Sequence, residues 1–230
     1  MLDRTPADYR CIRQLKEFHP MSASNTISII GAGNVARGIA TRALAAGYPV
    51  QLLVRNEEQG RTVAGELGGS VTVSAIGDDI AGTIVALAIP YSAVPEVVSE
   101  FGGLNGKTVI DATNPLNADF TGLAIKPGQS AAEEIQKIAP KASVVKAFNT
   151  VFAGNIVAGE KNGQPLDLLV AGDDASAKDA VVAFAEKSGF RVIDTGALAQ
   201  AGTLEALAWL HMQLQFTRGT NFASAIQIVD

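Results

Sequence analysis

The chain has 230 residues, with 18 Lys and Arg against 23 Asp and Glu, giving a formal net charge of −5. This length fits one large α/β domain or two very small ones, and without a basic tract no face is built to neutralise a nucleic-acid backbone. Hydrophobic residues make up 47% but aromatics only 6%, so Ala, Val, Ile and Leu carry the core, as in a parallel sheet covered on both faces.

Residues 1–25 read as an N-terminal extension. Asp3, Arg4, Asp8, Arg10, Arg13, Lys16 and Glu17 interrupt it, so it lacks the apolar run of a secretory signal. Tyr9, Ile12 and Phe18 suit either a short docking helix or a frayed arm, and Met21 is a candidate natural start. The one cysteine, Cys11, allows neither an internal disulfide nor a metal cluster, which points to a reducing, cytoplasmic setting. The apolar stretches are strand-length, too short for a membrane-spanning helix.

Residues 26–30 form a β-branched run ending in Gly31, and residues 34–46 suit a helix stopped by Gly47. Strands are predicted at 49–54, 71–73, 83–89 and 107–110, with helices at 57–67 and 92–100 and a brief one at 76–80. The pattern continues with a helix at 131–138, strands at 143–148 and 166–170, a helix at 175–187 and a strand at 191–193. A long apolar helix at 203–216 and a short alternating strand at 225–228 close the chain. Such alternation predicts a Rossmann-type, doubly wound parallel sheet, with residues 26–230 as a single NAD(P)-binding domain.

The glycine turn carries the chemistry. Gly31-x-Gly33-x-x-Ala36 follows a strand and opens a helix. Gly31 permits the tight turn, Gly33 lets backbone approach a pyrophosphate, and small Ala36 lets the helix pack on the strand. The helix N-terminus offers free N–H groups and the positive end of its dipole to phosphates. Gly31, Ala32, Gly33, Asn34 and Val35 are therefore the predicted phosphate-binding residues. At the end of the second strand, where an NAD site places an acid for the ribose 2′-hydroxyl, the chain has Val54 followed by Arg55. A guanidinium grips a 2′-phosphate that a carboxylate would repel, so NADP is the expected cofactor. The other reading makes Arg55 a solvated loop residue.

Other catalytic groupings are missing. Of the two histidines, His19 lies in the extension and His211 in an apolar helix, where a core or interface histidine is the simpler reading. No metal-ligand spacing, Tyr-x-x-x-Lys or Ser-His-Asp set is present, and Asp173-Asp174 read as helix-capping residues. No catalytic side chain or metal is assigned, since hydride transfer between two planar rings works chiefly by positioning. Lys146 and Asn149 have the spacing of a hydroxyacid dehydrogenase pair. On a strand, however, they would face opposite ways, and the large helical domain of those enzymes is absent.

Four runs occur in order: IGAGNVARG at 30–38, AIPY at 88–91, DATNP at 111–115 and VKAFNT at 145–150. Together they resemble the NADPH-dependent reductases of the deazaflavin coenzyme F-420, a group that includes the cytosolic domain of the STEAP metalloreductases. The resemblance implies that residues 31–35 hold the pyrophosphate and Arg55 the 2′-phosphate. It implies that Ala88, Ile89 and Pro90, with Asn149 and Thr150, border the nicotinamide half. It places the acceptor ring beside Asn149, Val151, Phe152 and Ala153. The chain departs from the family at Ala36, Val54, Asn56 and Gln59, and in the run Asn149-Thr150-Val151-Phe152, where the deazaflavin reductases carry a histidine. The acceptor stays open among coenzyme F-420, a flavin, a quinone and a flavin-relayed metal. A non-catalytic NADP-binding sensor or scaffold is the alternative.

The helix at 203–216 has one apolar stripe of Leu204, Leu207, Ala208 and His211 and a second of Trp209, Met212 and Phe216. A helix on one side of a sheet needs one stripe, so the second predicts a homodimer surface, unless the C-terminal strand or the extension covers it.

Overall fold

A computed structural model describes residues 25–126 and 128–229. The expectations for Tyr9, Cys11, Ile12, Phe18, His19 and Met21 lie outside the described residues.

The first half consists of β1 (Ile27–Ile30), α1 (Asn34–Ala45), β2 (Val50–Val54), α2 (Glu57–Leu67), β3 (Val71–Ala75), β4 (Ile84–Leu87), α3 (Val94–Glu100) and β5 (Thr108–Asp111). The second half adds α4 (Ala131–Ile138), β6 (Ser143–Lys146), α5 (Ala153–Ala158), the short strands β7 (Glu160–Lys161) and β8 (Gln164–Pro165), and β9 (Asp167–Gly172). It ends with α6 (Ala175–Lys187), β10 (Arg191–Asp194) and α7 (Ala201–Arg218). Eight strands form one sheet in the order β10-β9-β6-β5-β4-β1-β2-β3. β1 and β2 are buried along their whole length, as apolar runs must be when helices cover both faces. Inward residues of α1, α2, α5 and α6 share one core, whereas α3, α4 and the start of α7 pack on the opposite face.

Local chemistry sets the helix starts. Asn56 accepts a hydrogen bond from Gln59 N at the head of α2. Ser130 caps α4, its Oγ accepting from Glu133 N and donating to Glu133 Oε2. Asp174 caps α6 through Ala177 N, as expected, while Asp173 instead accepts from Leu198 N.

The structure corrects several expectations. The sheet is not wholly parallel, because β9 runs antiparallel to β6 while β10 is parallel to β9. No strand forms at 225–228: the tail is held by side chains, with Ile228 N donating to Asp167 Oδ2 and Arg191 bridging the same carboxylate. At 76–80 there is a turn rather than a helix, because Gly77 takes φ +97° and Asp78 accepts from Ala75 N. α5 and the β7–β8 hairpin were not anticipated. Lys146 and Asn149 do not diverge, because Phe148 takes φ +69° and breaks the strand alternation. Both side chains reach α7, Lys146 at Glu205 and Asn149 at Leu204 O.

Helix α5 lies on α1 at Gly38, where an added Cβ would sit 2.9 Å from Ile156 Cβ and 3.3 Å from Ala153 O. The close approach fixes where the chain goes after β6. Gly38→Ala should therefore push the helices apart and cost about 1–3 kcal/mol, read as a lowered midpoint in thermal or urea unfolding; an unchanged midpoint would count against this packing.

Candidate functional site

The chain leaves β1 for β2 on one side and later returns to β4 on the other, so the carboxyl ends of β1 and β4 flank a switch-point crevice. Gly31, at φ +121°, closes the end of β1, and an added Cβ would lie 2.5 Å from Ala88 O. Gly33 differs. Its φ is −77°, and among the described residues it heads α1 with no side-chain cap and nothing lies within 4 Å of an added Cβ. Among the described residues, no side chain therefore caps the N–H groups at the amino end of α1.

A cavity of about 300 Å³ continues from this turn, walled by Gly31, Ala32, Arg55, Asn56, Ile89 and Pro90. Thus the phosphate turn, the strand-end arginine and the β4 end are gathered at one place. Arg55 is not free there: its Nη2 lies 2.8 Å from Glu96 Oε2, with both side chains more than half exposed.

Residues 149–153 take a different position. Phe148 is buried against Phe184 and edge-on to Phe190 at 5.5 Å, contacts that hold its left-handed backbone, a conformation that usually costs about 1–3 kcal/mol. Asn149 and Thr150 are buried. Asn149 Nδ2 donates to Asn114 Oδ1 and Leu204 O, and Asn114 Nδ2 donates back to Asn149 O. Val151 is partly buried against the core of α1, and Phe152 stacks on His211 at 4.2 Å with Phe222 edge-on. Ala153 begins α5. This segment thus sits under α7 and beside α1. Asn149 Oδ1 and Thr113 Oγ1, at neighbouring strand ends, are buried without a hydrogen-bond partner among the described residues.

Sequence reasoning missed a buried charge cluster. Lys146 Nζ donates to Asp111 Oδ2 at 2.8 Å, Glu205 Oε1 at 2.8 Å and Thr113 O at 2.7 Å. Glu205 Oε2 accepts from Ala131 N, and Asp111 Oδ1 from Thr113 N. All three charged side chains are fully buried, and one cation faces two carboxylates. Burial pushes the Glu205 pKa up, against the opposing pull of Lys146. The available signal was a lysine ending an apolar strand together with a glutamate inside an apolar helix. A larger cavity of about 670 Å³ lies on this side, between residues 123–126 and 128–129, Glu133 and Trp209. His211, expected as a core histidine, is buried with Nε2 2.8 Å from Ser224 Oγ, and burial lowers its pKa, favouring the neutral ring at pH 7.

Removing the cation would strand two buried carboxylates, so Lys146→Met should destabilise the fold by about 3–5 kcal/mol. The raised Glu205 pKa means the folded chain holds that proton more tightly than the unfolded chain. The resulting stability is complete below the unfolded value of about 4.3 and is lost as pH rises through the folded value. Glu205→Gln should flatten this part of the stability–pH curve in calorimetry. An unaltered curve would show that Glu205 titrates normally.

Residues 26–115 match the family described as NADP oxidoreductase, coenzyme F420-dependent. The metalloreductase STEAP3 of Rattus norvegicus is 30% identical over 182 residues, covering 79% of this chain and 36% of that relative. The F420-dependent NADP reductase of Methanocaldococcus jannaschii is 31% identical over 132 residues, covering 55% of this chain and 59% of that protein. The chain thus spans about a third of the first relative and little more than half of the second. Among solved structures, a candidate F420-dependent NADP reductase from Arthrobacter sp. FB24 superposes with a TM-score of 0.76 at 26% identity, covering 84% of this chain and 94% of that one. Residues 26–115 are thus similar to the coenzyme F420-dependent NADP oxidoreductases, and these comparisons together make the chain similar to NADP-dependent reductases.

Proposed function

We propose that the protein is an NADPH-dependent oxidoreductase that passes hydride between NADP(H) and a flat acceptor such as coenzyme F-420, a flavin or a quinone. The observation that carries this reading is the uncapped amino end of α1 at Gly33, next in sequence to a cavity lined by Gly31, Ala32 and Arg55. The unfilled space over Gly33 is where a pyrophosphate would meet the N–H groups of Gly33, Asn34 and Val35. Ala32 and Gly31 form the floor, and Arg55 meets the 2′-phosphate. Ala88, Ile89 and Pro90 extend along the nicotinamide half, with Asn149 and Thr150 at its far border. Asn149, Val151, Phe152 and Ala153 border the acceptor, and the unpartnered Asn149 Oδ1 supports a ligand contact there. Bound NADPH supplies the hydride. The protein's share is to align two rings and shield them from water.

Gly33→Ala tests this reading cleanly, because the fold accepts a Cβ at that position while a phosphate would not. It should bind NADPH at least tenfold more weakly with unchanged thermal stability. Arg55→Ala should weaken NADPH by roughly tenfold, near the low end for a charge-assisted contact, and leave NADH nearly unaffected. NADPH oxidation with a panel of deazaflavin, flavin and quinone acceptors then identifies the acceptor class. Tight NADPH binding with no turnover on any of them would favour the sensor reading.

We further propose a cytoplasmic homodimer formed through α7. Among the described residues no helix is long and apolar enough to cross a membrane. Leu204, Ala208 and His211 of the first stripe are buried, whereas Trp209 and Met212 of the second are half-buried. Phe216 remains 71% exposed although Phe222 meets it edge-on, and Leu210 and Leu214 are also exposed. The tail thus leaves much of this apolar surface to a second copy. Sedimentation at micromolar concentration should show a dimer that Leu210→Glu disrupts, and a wild-type monomer would reject the assignment.

A further inference from the structure

The cation expected to meet the 2′-phosphate already has a partner of opposite charge. Arg55, immediately after β2, reaches Glu96 in the first turn of α3, with Nη2 and Oε2 2.8 Å apart. The two residues come from elements on either side of the 300 Å³ cavity: Arg55 lines it directly, and Glu96 lies between the lining residues Ala93 and Val97. Other charges nearby offer the phosphate little help. Glu57 and Glu58 occupy the first turn of α2, and Arg61 is engaged by Glu57 at 3.0 Å. Among the described residues, Arg55 is the only lysine or arginine lining this cavity.

We propose that Glu96 is a specificity-determining residue that competes with the cofactor's 2′-phosphate for Arg55 and so holds down the preference for NADPH over NADH. The proposal rests on the cofactor reading above. A 2′-phosphate that takes Arg55 Nη2 must displace the Glu96 carboxylate, and one that uses the other guanidinium N–H groups must tolerate that carboxylate nearby as a like charge. NADH carries a hydroxyl at this position and meets neither cost. A position that would otherwise favour the phosphate strongly is thus tuned back by an acid from α3 rather than from the strand end. No reading of the β2 end alone reveals this.

The side chain of Glu96 is 64% exposed, so Glu96→Gln should fold normally, and the displaced pair is of the solvent-screened kind. Releasing Arg55 and removing the repulsion should together tighten NADPH by roughly three- to tenfold. NADH should change by less than about twofold, so the NADPH/NADH affinity ratio rises by nearly the full amount. The gain should shrink as salt is raised, because exposed charges are screened within about 10 Å at 0.1 M. Glu100→Gln removes another exposed acid from the same helix and should leave the ratio unchanged, which separates a local effect from one of net charge.

The experiment is titration of both cofactors into the full-length wild type and the two variants at low and high salt. A raised ratio in Glu96→Gln but not in Glu100→Gln supports the proposal. A ratio within twofold of wild type, a lowered ratio, or an equal rise in Glu100→Gln overturns it while leaving the cofactor reading intact. A wild type that binds neither cofactor overturns that reading and the proposal with it.

Discussion

At the end of β1 the backbone comes so close to β4 that a single methyl group at Gly31 would press to 2.5 Å from the Ala88 carbonyl. Strand ends that separate around a switch point usually leave a crevice; here glycine lets the two edges touch at the base and open only above. Much follows from that contact. It brings Ile89 and Pro90 beside the turn, aims the start of α1 across the crevice, and leaves Gly33 facing empty space. A larger residue at position 31 would force the β4 end away and widen the floor on which a dinucleotide would lie.

A second constraint acts beneath the far half of the crevice. Lys146 ties the ends of β5 and β6 to α7 through Asp111, Thr113 O and Glu205, and Glu205 reaches on to the first N–H of α4. Buried ion clusters contribute little net stability, since desolvation offsets most of the attraction. Their geometry is nevertheless demanding, and here it fixes α7 over the segment that begins at Asn149. Phe148 contributes in the same way: packing against Phe184 and Phe190 holds a left-handed bend that turns Asn149 toward Leu204 O. The near half of the site thus depends on an absent side chain and the far half on a charge network and a bent backbone.

The near half was legible in the sequence because its requirements are local. Gly31 and Gly33 after an apolar strand, and Arg55 where an acid is often found, state their roles within a few residues. Helix α6 was equally clear, since Asp174 announces its own cap. The far half depends on contacts between distant positions. Lys146 looked like a strand residue with an alternating neighbour, and nothing nearby in sequence reveals that Glu205 lies 59 residues away at 2.8 Å. The bend at Phe148 was hidden because bulky residues rarely adopt positive φ. The antiparallel pairing of β9 and the side-chain clamp on the tail likewise depend on tertiary partners. Arg55 shows the limit most sharply: its residue type was read directly, but its pairing with Glu96 on α3 was not.

The central claim is that the crevice above Gly31, rather than the larger cavity beside Trp209, receives the dinucleotide. Hydrogen–deuterium exchange of the protein with and without saturating NADPH tests this most directly, because it reports where backbone amides are protected. The account predicts slowed exchange at the start of α1, around residues 31–37, and at the ends of β2 and β4, with little change along the 123–129 loop. Protection confined to that loop and to α7 near Trp209, with the glycine turn unaffected, would contradict it.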